Sequence, residues 1–162
     1  MEISDLKTAP QYFDVIADRI WNAWWKPSGA ELAQVEAALA DVVVSDVFPF
    51  TLVGVESEVF VGTVTCIATD IEARPEFGPC VAALWVEPDW RGRGVADRLV
   101  DTALKRLHAA GYGHAYLAAR RPLRAYYGGR GWLLVEEGVG ADQLDVFNRV
   151  LVEGAAYAVD TN

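Results

Sequence analysis

The segment Arg91-Gly92-Arg93-Gly94-Val95-Ala96 places two arginines and two glycines between a β-prone apolar run and an amphipathic stretch. A strand that enters such a loop and leaves it as a helix is a device for holding an anion. The first helical N–H groups have no intrahelical partners and point beyond the N-terminus. With the macrodipole they favour negative charge there. Gly92 and Gly94 allow the backbone to come close to that charge, and Arg91 and Arg93 can add charge-assisted hydrogen bonds.

Three phosphate-binding patterns compete for this loop. A P-loop needs Gly-Lys-Ser/Thr, and the residues after Gly94 are Val95-Ala96-Asp97. A dinucleotide fingerprint needs a small residue at position 97, which is Asp, inside alternating βαβ units. Here the upstream segments read as consecutive strands instead. The third pattern, Arg/Gln-x-x-Gly-x-Gly/Ala, is met at Arg91, Gly94 and Ala96.

The flanking elements follow from hydrophobic spacing. Residues 11–25 read as an amphipathic helix carrying Tyr12, Phe13, Ile16, Ile20 and Trp24. Pro27-Ser28-Gly29 ends it, and Ser28 is expected to cap a second helix over 30–41. Runs 50–55 and 59–67 are β-branched and joined by Glu56-Ser57-Glu58, a hairpin pattern. A loop with two prolines covers 70–79, a strand covers 80–86, and the helix after the loop runs to a stop at Gly111. A short strand (115–118), a short helix (122–127) and a final strand pair (132–137 and 144–151) complete the order. Residues 1–151 are expected to form one domain, with a loose tail at 152–162. The pattern predicts a three-layer α/β/α fold with a mixed, mostly antiparallel sheet of six to seven strands.

Composition bounds the function. The net charge of −9 disfavours nucleic acid. Yet residues 91–130 hold nine of the fourteen Lys/Arg and only two acidic residues, Asp97 and Asp101, so a small polyanion is expected there. Cys66 and Cys80 make no framework or metal spacing and read as two reduced, buried thiols. Two histidines are too few for a histidine-rich metal site, and no metal is expected. No apolar stretch is long enough to span a membrane, and the acidic N-terminus does not read as a signal peptide. The expected location is the cytoplasm.

On these residues the chain resembles the GNAT acetyltransferases over roughly 10–151. Ala83 to Val100 looks like that family's strand, pyrophosphate loop and helix in order. Tyr126-Tyr127-Gly128-Gly129-Arg130-Gly131-Trp132 is similar to its Leu-Tyr-x-x-x-Gly-Phe segment, with Tyr127 on the tyrosine. More loosely, Trp21-Asn22-Ala23-Trp24 and the tyrosine pair resemble members akin to N-terminal acetyltransferases. Where many relatives carry Asn, seven residues before the tyrosine, this chain has Arg120, so one cofactor-side hydrogen bond is expected to be missing or replaced.

The resemblance implies acetyl-CoA as co-substrate and acetyl transfer to a primary amine by direct attack in a ternary complex. Backbone groups of Leu84 and Val86, flanking Trp85, would pair with the pantetheine amides by strand addition. Backbone N–H groups of Gly92, Arg93, Gly94, Val95 and Ala96 would receive the pyrophosphate, with Arg91, Arg93 and Arg124 as further phosphate contacts. A backbone N–H around Val86 could polarise the thioester oxygen. Tyr127 would protonate the leaving thiolate, with Tyr126 as the fallback. Asp70, Glu72, Glu76 and Glu87 are all available as bases, and the sequence does not choose among them. Trp24 and Trp25, with Lys26, would wall the acceptor pocket. The acidic remainder of the chain favours a cationic small-molecule amine or a basic peptide N-terminus. The competing class is a non-catalytic acyl-CoA-binding sensor or partner module, and either a monomer or a homodimer fits.

Overall fold

The computed structural model describes residues 1–155 and 157. Seven strands form one mixed sheet: β1 (Glu2–Asp5), β2 (Phe50–Glu56), β3 (Val59–Ile67), β4 (Cys80–Val86), β5 (His114–Ala119), β6 (Leu133–Val139) and β7 (Leu144–Val150). Their order is β1-β2-β3-β4-β5-β7-β6. The α-helices are α1 (Phe13–Ile20), α2 (Leu32–Val43), α3 (Val95–Ala109) and α4 (Arg124–Gly128). The seven-stranded α/β sheet matches the expected class. No helix among the described residues is long and apolar enough to cross a membrane.

Two compact units divide the chain. The first comprises Met1–Thr65 and Ala83–Leu99. Its core joins Ile16, Ala17 and Ile20 of α1 to Val35 and Leu39 of α2 and to Val53 and Phe60 of the sheet, with Ala83 and Trp85 packed against it. The 3.6-residue period of α1 accounts for that burial. Helical structure continues past α1, but Trp21–Trp25 forms a π-type turn, in which the Lys26 N–H donates to Trp21 O. Pi-type turns recur at functional sites.

Ser28 does not cap α2. Its Oγ donates to Trp25 O at 2.8 Å, closing a 3₁₀ turn, and α2 starts at a capping box made by Glu31 and Gln34. The Glu31 N–H donates to Gln34 Oε1 at 2.8 Å. Two unpaired donors are thereby satisfied reciprocally. The β2–β3 hairpin turns at Ser57 and Glu58, whose φ values are +47° and +66°. Two successive positive φ angles match the strand twist of a two-residue hairpin. The sequence reading missed β1, which pairs antiparallel with β2 through Ile3↔Gly54 and Asp5↔Leu52. Four residues at a sheet edge, two of them acidic, carry no β signal of their own.

Gly62, in β3, is the tightest point of this unit. A Cβ there would lie 2.8 Å from Trp85 O of β4, 3.0 Å from Leu99 Cδ1 and 3.3 Å from Val95 Cγ1 of α3. Absence of a side chain lets β4 and the first turn of α3 close over β3 together.

The second unit comprises Cys66–Ala82 and the chain from Val100 onward. β5 pairs antiparallel with β7 from His114↔Val150 to Ala119↔Asp145, and β7 pairs with β6. β4 joins β5 in parallel at Cys80↔Tyr116, the N-terminal end of β4. Ala103, Leu104 and Leu107 of α3 are fully buried. Cys66 and Cys80 are buried free thiols. The expected loose tail is anchored at one point: Tyr157 is buried, its N–H donates to Asp101 Oδ1 at 2.8 Å, and its hydroxyl donates to Val152 O. Positions 156 and 158–162 of that tail lie outside the described residues.

The Gly62 contacts set a stability expectation. Gly62→Ala should lower stability by about 1–3 kcal/mol, the usual cost of overpacking, as a fall in the thermal midpoint. An unchanged midpoint would show that β3 and β4 can separate without cost.

Candidate functional site

The C-terminal half of β4 departs from a regular strand. Ala83 has φ +50°, a left-handed conformation that costs an L-residue about 1–2 kcal/mol. Residues Ala82, Ala83, Leu84 and Trp85 are half-buried, whereas Val86 is buried. A single residue of this kind inside a strand bends it and re-aims the backbone groups that follow. Sequence reasoning did not find it, because an alanine in a β-prone run gives no sign of positive φ.

Beyond β4 a 3₁₀ turn at Pro88–Trp90 leads into the glycine loop. Gly92 and Gly94 have φ +74° and +77°, and a Cβ on either would meet no protein atom within 4 Å. Both glycines are therefore required by backbone conformation, and the space above them is open. The Arg98 N–H donates to Gly94 O at 3.1 Å, so Gly94 supplies the first helical acceptor of α3. Val95 is buried and anchors the helix, and Ala96 is half-buried.

The two loop arginines are held by tryptophans. Arg91 Nε donates to Val86 O at 2.9 Å, and its guanidinium lies 4.7 Å from the Trp85 ring centre. No protein acceptor meets its two terminal nitrogens among the described residues. Arg93 stacks in the same way on Trp90, at 5.0 Å. Such stacking favours a guanidinium over an ammonium, since the planar group presents its face to the ring and its edge outward.

Glu87 is the hub beside them. Arg19 Nε donates to both its oxygens at 3.1 Å, Arg19 Nη2 to Oε1 at 2.8 Å, and Trp85 Nε1 to Oε2 at 3.0 Å. The Arg19 hydrogen bonds hold the Glu87 carboxyl below its ordinary range. Of the four candidate bases, Glu87 thus has both oxygens already engaged by protein donors. A cavity of about 540 Å³ opens here, lined by Phe60, Trp85, Trp90, Glu87 and Asp89. Trp24 meets Trp85 edge to face at 6.5 Å and remains 44 % exposed, and Trp25 is 36 % exposed. Lys26 instead covers the Trp21 ring at 5.0 Å.

The remaining candidates belong to the second unit. Tyr127 lies in the last turn of α4, which continues through Gly128 despite the glycine pair. Its ring contacts Phe147 at 5.7 Å and Trp132 at 6.5 Å, and burial pushes its phenol up to about 12. No protein group hydrogen-bonds its hydroxyl among the described residues. Tyr126 is perpendicular to it, and the Arg130 guanidinium covers its ring at 3.7 Å. Arg124, expected at a phosphate, is bound by Asp145 at 2.7 and 2.8 Å and by Glu137 at 3.1 Å. Two carboxylates neutralise it, and it braces α4 against the strands instead. Arg120 and Arg121 line a second cavity beside it, of about 500 Å³. The other base candidates, Asp70, Glu72 and Glu76, are all exposed in the 68–79 loop.

Residues 15–132 match the profile of the Acetyltransferase (GNAT) family. The chain belongs to the GNAT acetyltransferase family. The fold of this GNAT protein is shared by solved structures of low identity. An aminoglycoside 6'-acetyltransferase type Ii is 17 % identical, with a TM-score of 0.73, over 96 % of this chain and 100 % of its own. An aminoglycoside 6'-N-acetyltransferase complexed with coenzyme A is also 17 % identical, with a TM-score of 0.74, over 96 % and 99 %. The Salmonella typhimurium protein yncA, solved with its cofactor acetyl-CoA, is 15 % identical, with a TM-score of 0.69, over 96 % of each chain. A comparison with curated proteins finds no matching sequence.

Within this GNAT chain the glycine loop makes a sharp expectation. Gly94→Leu places a side chain at a positive φ and into the open space above the loop, so it should abolish coenzyme A binding in a protein that still folds. Calorimetry checks this, and retained affinity would remove the loop from the site.

Proposed function

We propose that the protein is an acetyl-CoA-dependent N-acetyltransferase acting on a primary amine, with residues 1–151 as its catalytic domain. The observation that carries this reading is the loop at the start of α3. Two glycines at positive φ leave open space beside the helix N-terminus, and two stacked arginines flank it. Those features suit a pyrophosphate. In this reading backbone N–H groups of Gly92 to Ala96 hold the pyrophosphate. Arg91 and Arg93 add charge. Leu84 and Val86 offer backbone groups to the pantetheine amides, with Trp85 between them. The Val86 carbonyl already accepts from Arg91 and keeps one lone pair for a ligand.

Acetyl transfer needs a neutral amine and a proton for the departing thiolate. Tyr127 is proposed as the donor: its raised pKa keeps the phenol protonated throughout neutral pH, and its hydroxyl has no competing partner among the described residues. It meets the sulfur as negative charge develops and gives up its proton there. The acceptor is proposed to be a cationic small-molecule amine or a basic peptide N-terminus, bound against Trp24 and Trp25. The aromatic faces of Trp85 and Trp90 and the Asp89 carboxylate in the cavity support that charge preference, as does the acidic balance outside residues 91–130.

Titration calorimetry with acetyl-CoA, with NADH as the comparison ligand, tests the reading. Binding of acetyl-CoA alone is expected, followed by thiol release when amines are supplied. Binding without turnover of any amine would favour the acyl-CoA sensor instead, and no binding would remove the assignment. Tyr127→Phe should slow thiol release by about 10²–10⁴-fold, the span of a general acid, while leaving acetyl-CoA affinity near that of wild type. An unaltered rate would leave Tyr127 a packing residue.

A further inference from the structure

Arg91 reaches the loop through a chain of contacts that begins on α1. The Arg19 fork grips both oxygens of Glu87, and the Glu87 N–H donates to Val61 O at 2.9 Å, fixing the residue by backbone and side chain together. Glu87 Oε2 then takes the Trp85 indole N–H at 3.0 Å. The Trp85 ring, packed on its other side toward the α1–α2 core, carries the Arg91 guanidinium at 4.7 Å. Finally Arg91 Nε closes onto Val86 O at 2.9 Å, and the far edge of the fork meets no protein acceptor among the described residues.

We propose that Glu87 is a positioning residue for anion binding at the glycine loop, acting through Trp85 on Arg91. The inference rests on the acetyl-CoA reading above and adds to it a residue that touches no ligand. Its physical basis is conformational entropy. A free arginine gives up substantial rotamer freedom when it binds a phosphate, and a guanidinium already stacked and hydrogen-bonded has given up much of it beforehand. A carboxylate is needed because position 87 must accept from two directions at once. Glutamine could still accept the indole N–H, but its amide nitrogen would then face the donors of Arg19. The Glu87 charge also interacts with both the Arg19 and the Arg91 guanidiniums and offsets their mutual repulsion.

The opposite effect has the opposite sign, which makes the proposal testable. A negative charge near a bound pyrophosphate repels it. If Glu87 acted only through space, Glu87→Gln would tighten binding. If it acts through Trp85 and Arg91, Glu87→Gln weakens binding, and the loss disappears once Arg91 is gone.

The experiment is a double-mutant cycle of Glu87→Gln and Arg91→Ala in the full chain, with acetyl-CoA affinity read by calorimetry and thermal midpoints taken as a folding check. The expected result is a rise in Kd of about 3–30-fold for Glu87→Gln, the range for residues coupled through contact. The double variant should bind no more weakly than Arg91→Ala alone, within about twofold. Unchanged or tighter binding by Glu87→Gln, or losses that multiply in the double variant, would overturn the proposal. Trp85→Phe gives a second route if Glu87→Gln does not fold, since it keeps a ring under Arg91 and removes the indole donor. It should show the same non-additivity with Arg91→Ala, and multiplying losses there would equally overturn the idea. Wild-type protein that fails to bind acetyl-CoA would overturn both this and the function reading. Wild-type binding with additive variants would overturn the positioning role alone.

Discussion

Gly62 stands where β3, β4 and α3 meet, and the distances there leave no room for a methyl group. The Trp85 carbonyl and the Val95 and Leu99 side chains occupy the volume that a Cβ would need. That close approach brings the first turn of α3 directly to the end of β4, so the glycine loop spans a short gap and keeps its two positive φ angles. A looser junction would lengthen the path from β4 to α3. The loop's chemistry is local, but its geometry is imposed from beneath.

The charged groups of the first unit are arranged around this junction. Arg19 and Glu87 form a fork within the protein, and its cost of desolvation is moderated because both partners keep some contact with solvent. Arg91 and Arg93 avoid carboxylate partners and rest on tryptophan faces, which hold a guanidinium without neutralising it. Arg124 in the second unit shows the other outcome: two carboxylates consume its charge and leave it structural. Sequence position alone treats these arginines alike. Their partners decide which of them can still meet an anion.

Much of the fold was legible because its signals are local. The helical spacing of Ile16, Ala17 and Ile20, the β-branched runs of β2 and β3, and Gly111 at the end of α3 each follow from rules that act within a few residues. Ser28 resembles an N-cap, but a 3₁₀ turn closing on Trp25 takes its hydroxyl, and Glu31 with Gln34 makes the cap three residues later. β1 escaped notice because its pairing partner lies about fifty residues away and its own four residues have no pattern. The π-type turn at Trp21–Trp25 likewise continues a helical period and gives no separate sign in sequence.

The residue types and spacing by themselves picked out the glycine loop as a candidate anion site, since Arg91, Gly94 and Ala96 lie within six consecutive positions and their chemistry needs no distant partner. The family resemblance added a candidate proton donor, within a choice between two adjacent tyrosines. Only the tertiary structure decided that Glu87 is an ion-paired hub, that Arg124 is neutralised, and that Ala83 bends β4 at a positive φ. Each of those outcomes depends on a group supplied by a distant part of the chain or on the backbone's path through the sheet. A carboxylate looks the same in sequence whether it faces water or an arginine sixty-eight residues away, and only the fold brings that arginine to it.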